Sequence, residues 1–442
     1  MSNSASFIGR AAHRLGRLVI LADVVLVFGL IDIGLGAGLL IADGRPLPAL
    51  AVSIVAVSLL LVAVSRSSER TRGIAICGLA AVVGAGVLTL FLLGHSVHAP
   101  YHDSVLLEDA AANWLLGGHD PYTQDYLYSS TRIFYTPDMP INFGVNHFVY
   151  PPGLILLDLP LRLASRLGGP DLGVIVLYPL ALLALVWAAA SFGRTWAERG
   201  AAVTALSLNP ILLLDVNTQF FNDIFFLAPL VGAIAALRWK RTWLAGILFA
   251  LSLTIKQQAL VALPFLLLGA AVLVGRGGLL RAVLAGLITT TALNLPFLLW
   301  NPHGFVSSVV GTFYASGVNN YPIRGVGLDG GLLRAGIIAS RWSMFPSLPL
   351  QLVFTAPFAA IVLLRLKRHW SWTMAWMGLG GTTFLLFFLG RGLVINYLDL
   401  VLIYLSAGVI IPLSRDSGRC RHHPPSGSGV RPDAIPTGGN GV

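Results

Sequence analysis

The chain has 442 residues, of which 56% are hydrophobic and only 11% are charged. A soluble globular domain carries about 25% charged residues, so this composition excludes a soluble globule and indicates an all-α polytopic membrane protein. The formal net charge of +10 does not indicate a nucleic acid partner, because the basic residues stand in short clusters between apolar segments. The two cysteines, Cys77 and Cys420, exclude a disulfide framework and a thiolate metal site.

Apolar segments of near-spanning length follow one another along the chain, and a helix needs about 20 such residues to cross a bilayer. The candidate spans are 18–42, 48–65, 73–97, 148–165, 173–193, 200–214, 220–237, 242–255, 258–275, 280–300, 349–365, 372–389 and 393–412. Basic clusters at both ends of the chain predict two cytoplasmic termini and therefore an even number of spans. We expect about 12, with 148–165 or 200–214 as the segment that does not cross.

The basic clusters between spans predict the topology. Those at 10–17, 66–72, 238–241, 276–281 and 365–368 are expected on the cytoplasmic side of the plasma membrane. The chain then divides into a cytoplasmic N-terminus (1–17), N-terminal helices (18–97), an extracytoplasmic acidic loop with a surface helix (98–147), a central membrane core (148–300), a second extracytoplasmic loop (301–348), C-terminal helices (349–412) and a disordered cytoplasmic tail (413–442).

The longest polar interval runs from His98 to Pro152 and holds six of the 19 acidic residues. Within it, 105–116 predicts a short helix on the membrane surface, with Leu106, Ala110, Asn113 and Leu116 on one face and Glu108 and Asp109 elsewhere. A carboxylate at the membrane boundary can act as a general base on a hydroxyl, and Asp103 is the first candidate. Glu108, Asp109 and the more distant Asp223 are alternatives, as is a purely solvated loop.

Histidines beside Asp103 also allow a metal site, since His98 and His102 are four residues apart. A third ligand at a typical spacing is missing, so the sequence predicts no metal ligands. A divalent cation stays open as an alternative, and no other cofactor is indicated.

Two further polar stretches interrupt apolar sequence. The stretch 216–223 contains Gln219, Asn222 and Asp223, which would be costly in lipid and are expected to line a water-filled cavity, unless they only connect two spans at the interface. Lys256, followed by Gln257, is flanked by apolar sequence and predicts binding of an anion such as a lipid phosphate. Snorkelling of the lysine to the interface is the alternative.

Cations on the predicted outer face extend this site. Arg324 stands among glycines, which let the backbone approach a ligand closely, and Arg391 departs from the positive-inside trend. Both are further candidates for binding an anion. Tyr150, Asn396 and Tyr397 complete the predicted cavity.

Four motifs in order carry a family resemblance. Asp103 precedes A-A-A-N-W-L-L-G-G-H-D-P-Y, followed by V-Y-P-P-G at 149–153, N-T-Q-F-F-N-D at 217–223 and T-I-K-Q-Q-A-L-V-A-L-P-F from 254. Across roughly residues 95 to 410 the chain resembles the integral-membrane glycosyltransferases of the GT-C fold. It is most similar to the polyprenol-phosphate-mannose-dependent mannosyltransferases of glycosyltransferase family 87.

This resemblance implies an enzyme of cell envelope biosynthesis with a large extracytoplasmic catalytic loop. Asp103 would activate the acceptor hydroxyl of a glycolipid or glycan, and the sugar carbon would be inverted as a lipid monophosphate leaves. Mannose or arabinose is the expected sugar, and Lys256, Arg324 or Arg391 would bind the donor phosphate. The alternatives are a transporter or flippase of a lipid-linked or small polar solute, which would place charges at the bilayer midplane within repeats, and a catalytically silent assembly partner.

Overall fold

A computed structural model describes residues 2–93, 103–126, 147–169, 173–311, 322–390 and 392–414, with only the backbone given for residues 2–18, 91, 215, 217–219, 324, 392 and 395. Helices account for most of the described chain. They are α1 (Ser2–Ala42), α2 (Pro46–Val64), α3 (Glu69–Ala81), α4 (Val87–Leu92), α5 (Asp103–Leu116), α6 (Gly153–Arg166), α7 (Leu177–Phe192), α8 (Trp196–Leu206), α9 (Pro210–Gln219), α10 (Asp223–Arg238), α11 (Thr242–Ile255), α12 (Leu263–Val274), α13 (Arg276–Trp300), α14 (Pro302–Val309), α15 (Leu328–Arg334), α16 (Ser347–Leu350), α17 (Ala356–Arg368), α18 (Trp372–Phe388) and α19 (Ile395–Leu413).

Short elements join or interrupt these helices. Val82–Gly86 and Gln351–Thr355 are π-helical, and Val174–Val176 and Gln257–Ala262 are 3₁₀-helical. Two strands of two residues each, β1 (Arg324–Gly325) and β2 (Gly392–Leu393), pair in parallel with Arg324 opposite Gly392.

Eight helical stretches within the described residues are long and apolar enough to cross a membrane. They are Val19–Ala42, Pro46–Val64, Glu69–Leu90, Val174–Phe192, Gln257–Val274, Arg276–Trp300, Ser347–Arg368 and Asn396–Leu413. Helix α13 exposes Leu287, Ile288 and Leu299, an apolar surface suited to lipid tails and not to water. The protein is therefore an all-α polytopic membrane protein, and the count of about 12 spans stays a prediction.

The central helix of the fold is α10, whose residues are buried on every side except at Pro229. A helix that is apolar all round belongs in the interior of a bundle. Its 16 residues span about 24 Å, and it packs against α11, which runs back in the opposite direction. One end of this hairpin therefore carries Asp223 and Lys256, and the other carries the basic turn 238–241.

A second hairpin repeats this arrangement. Helix α17 ends in Arg365, Lys367 and Arg368, α18 returns, and α19 begins beside the Asp223 end. The turns at the basic ends of the two hairpins lie together, because the Phe192 ring contacts both the Arg238 guanidinium and the Trp372 ring.

The structure refines one expectation about the helices and corrects another. The segment 200–214, one of the two that we expected not to cross the membrane, is divided between two helices, because residues 207–209 separate α8 from α9 and the Asn209 side chain caps α9 by accepting from the backbone N–H of Ile211. Helix α5 does not leave Glu108 on a surface face, since Ser104, Leu107, Glu108 and Ala111 are its buried residues along one side. A single carboxylate among small apolar residues does not reveal which face packs inward.

Candidate active site

Helix α5 is fixed to α6 by an ion-pair cluster. Arg162 pairs with Asp109 and donates from Nε to Oδ2 of Asp158 at 3.2 Å. Oδ1 of Asp109 also accepts from the backbone N–H of Val174 at 2.9 Å. Because these contacts use Asp109 to join α5 to two neighbouring segments, this carboxylate orients the helix.

Asp103 is the first residue of α5, and its side chain is partly exposed. The N-terminal turn of a helix presents unpaired N–H groups and the positive end of the helix dipole, which favours a carboxylate there. Asp103 lies about 7.5 Å along the helix axis from Glu108. Of these two carboxylates, Asp103 is the more exposed one.

Glu108 is fully buried where α5 meets the bundle. Its Oε1 accepts from Nδ2 of Asn222 at 2.7 Å, while its Oε2 has no partner among the described residues. Helix α5 lies outside the eight spanning stretches, and burial raises the pKa of Glu108 well above its usual range, against smaller opposing effects of Asn222 and Lys256. This shift favours the neutral form of the Glu108 carboxyl.

A left-handed turn brings Asn222 and Asp223 to this point. Helix α9 ends at Phe220, whose φ of 53° is unusual for a residue with a side chain, and the Phe220 carbonyl accepts from the Tyr178 hydroxyl at 2.5 Å. Such strained backbone persists only where the surroundings hold it, and it is common at functional sites. The turn starts α10 at Asp223, where the helix dipole favours a negative charge.

Lys256 lies at the break between α11 and the following 3₁₀ segment, and only 2% of it is exposed. Its Nζ donates to Oδ1 of Asn222 at 2.8 Å and to Oδ1 of Asp223 at 2.7 Å. An ammonium has three N–H groups, so two of them are used by the described residues. The pairing with Asp223 compensates a charge that would otherwise be very costly to bury.

Aromatic rings enclose the ammonium. The centroids of Tyr150, Phe226 and Tyr397 lie 5.8, 5.9 and 5.6 Å from Nζ of Lys256. Ring faces at this distance attract a cation, and more so when water is excluded. The rings thus form a cage around the Lys256 ammonium.

Helix α19 completes the network. Nδ2 of Asn396 donates to Oδ2 of Asp223 at 2.8 Å, and Nε2 of Gln258 donates to the Tyr397 hydroxyl at 3.0 Å. Hydrogen bonds therefore run in one buried chain through Glu108, Asn222, Lys256, Asp223 and Asn396. This chain links α5, α10, α11 and α19, elements far apart in sequence.

The V-Y-P-P-G motif packs directly against the helix break at Lys256. The Val149 carbonyl accepts from Nε2 of Gln257 at 3.1 Å, and the Tyr150 carbonyl accepts from the Tyr122 hydroxyl at 3.0 Å. A Cβ on Gly153 would lie 2.6 Å from the carbonyl oxygen of Thr254, so only glycine fits there. The motif therefore sets the position of the backbone that leads into Lys256.

The β1–β2 pair brings the second predicted loop to the start of α19. Gly325 has a φ of 84°, and a Cβ there would overlap the carbonyl oxygen of Leu393. Arg324 lies opposite Gly392, four residues before Asn396. The backbone of one predicted anion-binding segment is thereby joined to the network around Asp223.

The structure brings together most of the residues singled out from sequence and leaves some undescribed. His102 and Arg391 lie outside the described residues, and the side chains of Gln219 and Arg324 do so too. No group of three or more His, Cys, Asp and Glu side chains suited to a metal ion is found in the part of the chain that is described.

Sequence reasoning missed three contributors. Phe226 lies near the Lys256 ammonium, but in the sequence it resembles an ordinary core residue of α10. Asp158 and Arg162 lie in an amphipathic helix, where charged residues are expected on the solvent-exposed face. The spacing of Asp158 and Arg162, four residues apart on one helix, was the available signal.

Comparison with known protein families places the site in context. The model of glycosyltransferase family 87 matches residues 148–411, a range that includes Asn222, Asp223, Lys256 and Asn396. Asp103 and Glu108 precede the matched range. Neither a curated protein nor a solved structure matches the chain. The matched range covers more than half of the chain, and the protein belongs to glycosyltransferase family 87.

Proposed function

We propose that this protein is an inverting glycosyltransferase that moves a sugar from a polyprenyl-phosphate donor to an acceptor hydroxyl on the outer face of the plasma membrane. Family membership and the spanning helices support a membrane-embedded glycosyltransferase. The observation that carries the finer proposal is the Glu108–Asn222–Lys256 connection. It joins the helix that begins with an accessible carboxylate to the buried cation of the bundle.

In this mechanism Asp103 is the general base. Its carboxylate takes the proton of the acceptor hydroxyl as the hydroxyl oxygen forms a bond to the anomeric carbon of the sugar. The bond from that carbon to the phosphate oxygen breaks on the opposite side, which inverts the configuration and releases the lipid monophosphate. The other nearby carboxylates have structural partners. Asp109 is paired with Arg162 and fixes α5, and both oxygens of Asp223 accept hydrogen bonds, one of them from Lys256.

In this proposal the donor phosphate is bound by three cations. Lys256 supplies its third N–H, and Arg324 and Arg391 supply guanidinium groups from the segments around the β1–β2 pair. Charge-assisted hydrogen bonds of this kind are roughly twice as strong as neutral ones. They would stabilise the phosphate as it takes up negative charge on leaving.

Two hairpins support an outward-facing site. Basic residues at 238–241 and 365–368 lie at the ends opposite to Lys256, and basic turns stay in the cytoplasm. The site then opens outward. This placement of charges at one face also favours an enzyme over a transporter, because a transporter would have its charged binding residues near the bilayer midplane.

The test is transfer by the purified protein in lipid nanodiscs. Polyprenyl monophosphate carrying mannose or arabinose should yield a glycosylated glycolipid or glycan acceptor, while a nucleotide sugar should yield none. Transfer from the nucleotide sugar would contradict the donor class. Movement of the lipid-linked sugar across the bilayer without a new glycosidic bond would contradict the enzyme assignment.

A further inference from the structure

The amide of Asn222 has one orientation that satisfies both of its neighbours. Its Nδ2 donates to Oε1 of Glu108 at 2.7 Å, and its Oδ1 accepts from Nζ of Lys256 at 2.8 Å. A flipped amide would direct N–H groups at the Lys256 ammonium and the carbonyl oxygen at the Glu108 carboxyl. Lys256, which can only donate, selects this orientation of the amide, and the Glu108 carboxyl holds the amide in place by accepting from its Nδ2.

The charge around Glu108 favours the neutral form of this carboxyl. Asp109 follows it on α5 and Asp158 lies on α6, and Arg162 pairs with both. Tyr178 and Asp223 lie on α7 and α10, and Lys256 is the second cation. The charge of Lys256 is already balanced by Asp223. A second negative charge at Glu108 would leave the network with net negative charge, which would repel an incoming phosphate.

The surroundings of the second oxygen of Glu108 also favour the neutral form of the carboxyl. Oε2 is buried and has no partner among the described residues. An ionised Oε2 without a partner would bear a large desolvation cost. A protonated Oε2 carries no charge and needs only one small hydrogen-bond acceptor beside it. Burial alone also raises the pKa of the group.

We propose that Glu108 is a positioning residue that acts as a neutral acid and, through Asn222, holds the Lys256 ammonium in place for the lipid phosphate of the donor. This inference rests on the proposed function, since it assigns the phosphate to Lys256. Helix α5 then carries both the general base, Asp103, and the residue that orients the cation. A displacement of the cation would be transmitted to the base through one rigid helix.

The test compares E108Q with E108L, and E69Q, on α3 away from the site, is the matched control. Glutamine keeps an acceptor for Asn222 and an N–H donor in place of the Oε2 proton, so E108Q should bind a short-chain polyprenyl monophosphate within about threefold of the unaltered protein. E108L leaves the buried Nδ2 of Asn222 unpaired, and its affinity should fall on the order of tenfold or more. Equal losses in E108Q and E108L would overturn the proposal.

The pH dependence gives a readout that packing does not change. As pH rises through the raised pKa of Glu108, the unaltered protein should lose phosphate affinity, and E108Q should not lose it over that range. Identical profiles for the two folded proteins would overturn the neutral-acid role, even if E108L fails to fold.

Infrared spectroscopy separates this inference from the proposed function. The difference spectrum between the unaltered protein and E108Q at neutral pH should contain the carbonyl stretch of a protonated carboxyl group, with or without substrate. Its absence would overturn the neutral acid whatever the activity. Conversely, phosphate binding that depends on Glu108 without any sugar transfer would refute the proposed function and leave the positioning role intact.

Discussion

Nζ of Lys256 lies 2.7 Å from Oδ1 of Asp223, and both side chains are buried at the junction of α10, α11 and α19. Removing one member of a buried ion pair leaves an uncompensated charge, which typically costs roughly 3–5 kcal/mol. Lys256 is therefore a structural residue as well as a candidate ligand. A single substitution cannot separate the two roles, but a neutral pair can.

The first prediction uses this coupling. K256M should lower the thermal unfolding temperature in detergent markedly, and K256M/D223N should recover much of the loss because no unpaired charge remains. K240M, at an exposed position, is the control. If the losses of K256M and D223N simply add in the double variant, the two groups are not coupled. Where the double variant folds, its affinity for polyprenyl monophosphate should fall; unchanged affinity would remove Lys256 from the phosphate site.

The second prediction concerns the contact between the V-Y-P-P-G motif and the helix break at Lys256. In G153A the new methyl would lie 2.6 Å from the Thr254 carbonyl oxygen, so α6 and α11 must separate. Overpacking of this kind typically costs roughly 1–3 kcal/mol, and we expect a lower unfolding temperature together with weaker donor binding. G277A has open space around it and should lower neither. Normal stability of G153A would refute the close contact.

The third prediction isolates the β1–β2 junction. Gly325 and Gly336 both have positive φ, but only a Cβ on Gly325 would overlap Leu393. G336A measures the cost of backbone strain alone, and G325A adds the loss of the strand pair. Donor affinity should therefore fall in G325A much more than in G336A. Equal effects of the two changes would mean that the junction does not position the phosphate-binding segment.

The fourth prediction concerns orientation. In a protein without Cys77 and Cys420, a cysteine at exposed Thr123, after α5, should react with an impermeant reagent added outside intact cells. A cysteine at exposed Lys240 should react only after the membrane is opened. Thr242, at the start of α11, is buried and unsuitable as a probe. The reverse labelling pattern would place the site on the cytoplasmic side.

Much of the fold follows from apolar runs, because the bilayer imposes a length on each span. The predicted segment 173–193 matches the stretch Val174–Phe192, and 280–300 lies within Arg276–Trp300. The break at residues 207–209 was less visible, since its flanking residues are apolar on both sides.

The site was only partly predictable. Asn222, Asp223 and Lys256 were singled out because polar groups are costly between apolar segments. Their partners were not predictable, since Asn222 bonds to a residue 114 positions away and Asn396 to one 173 positions away. Local periodicity contains no information about such contacts.

The most direct measurement is the turnover of D103N with a polyprenyl-phosphate sugar and an acceptor. General-base catalysis typically contributes ~10²- to 10⁴-fold, so D103N should lose turnover by about that factor while its unfolding temperature and donor affinity stay near those of the unaltered protein. D23N, at an exposed position on α1, should keep full turnover. Near-normal turnover of D103N, with loss in D109N or D223N instead, would contradict the assignment of the base.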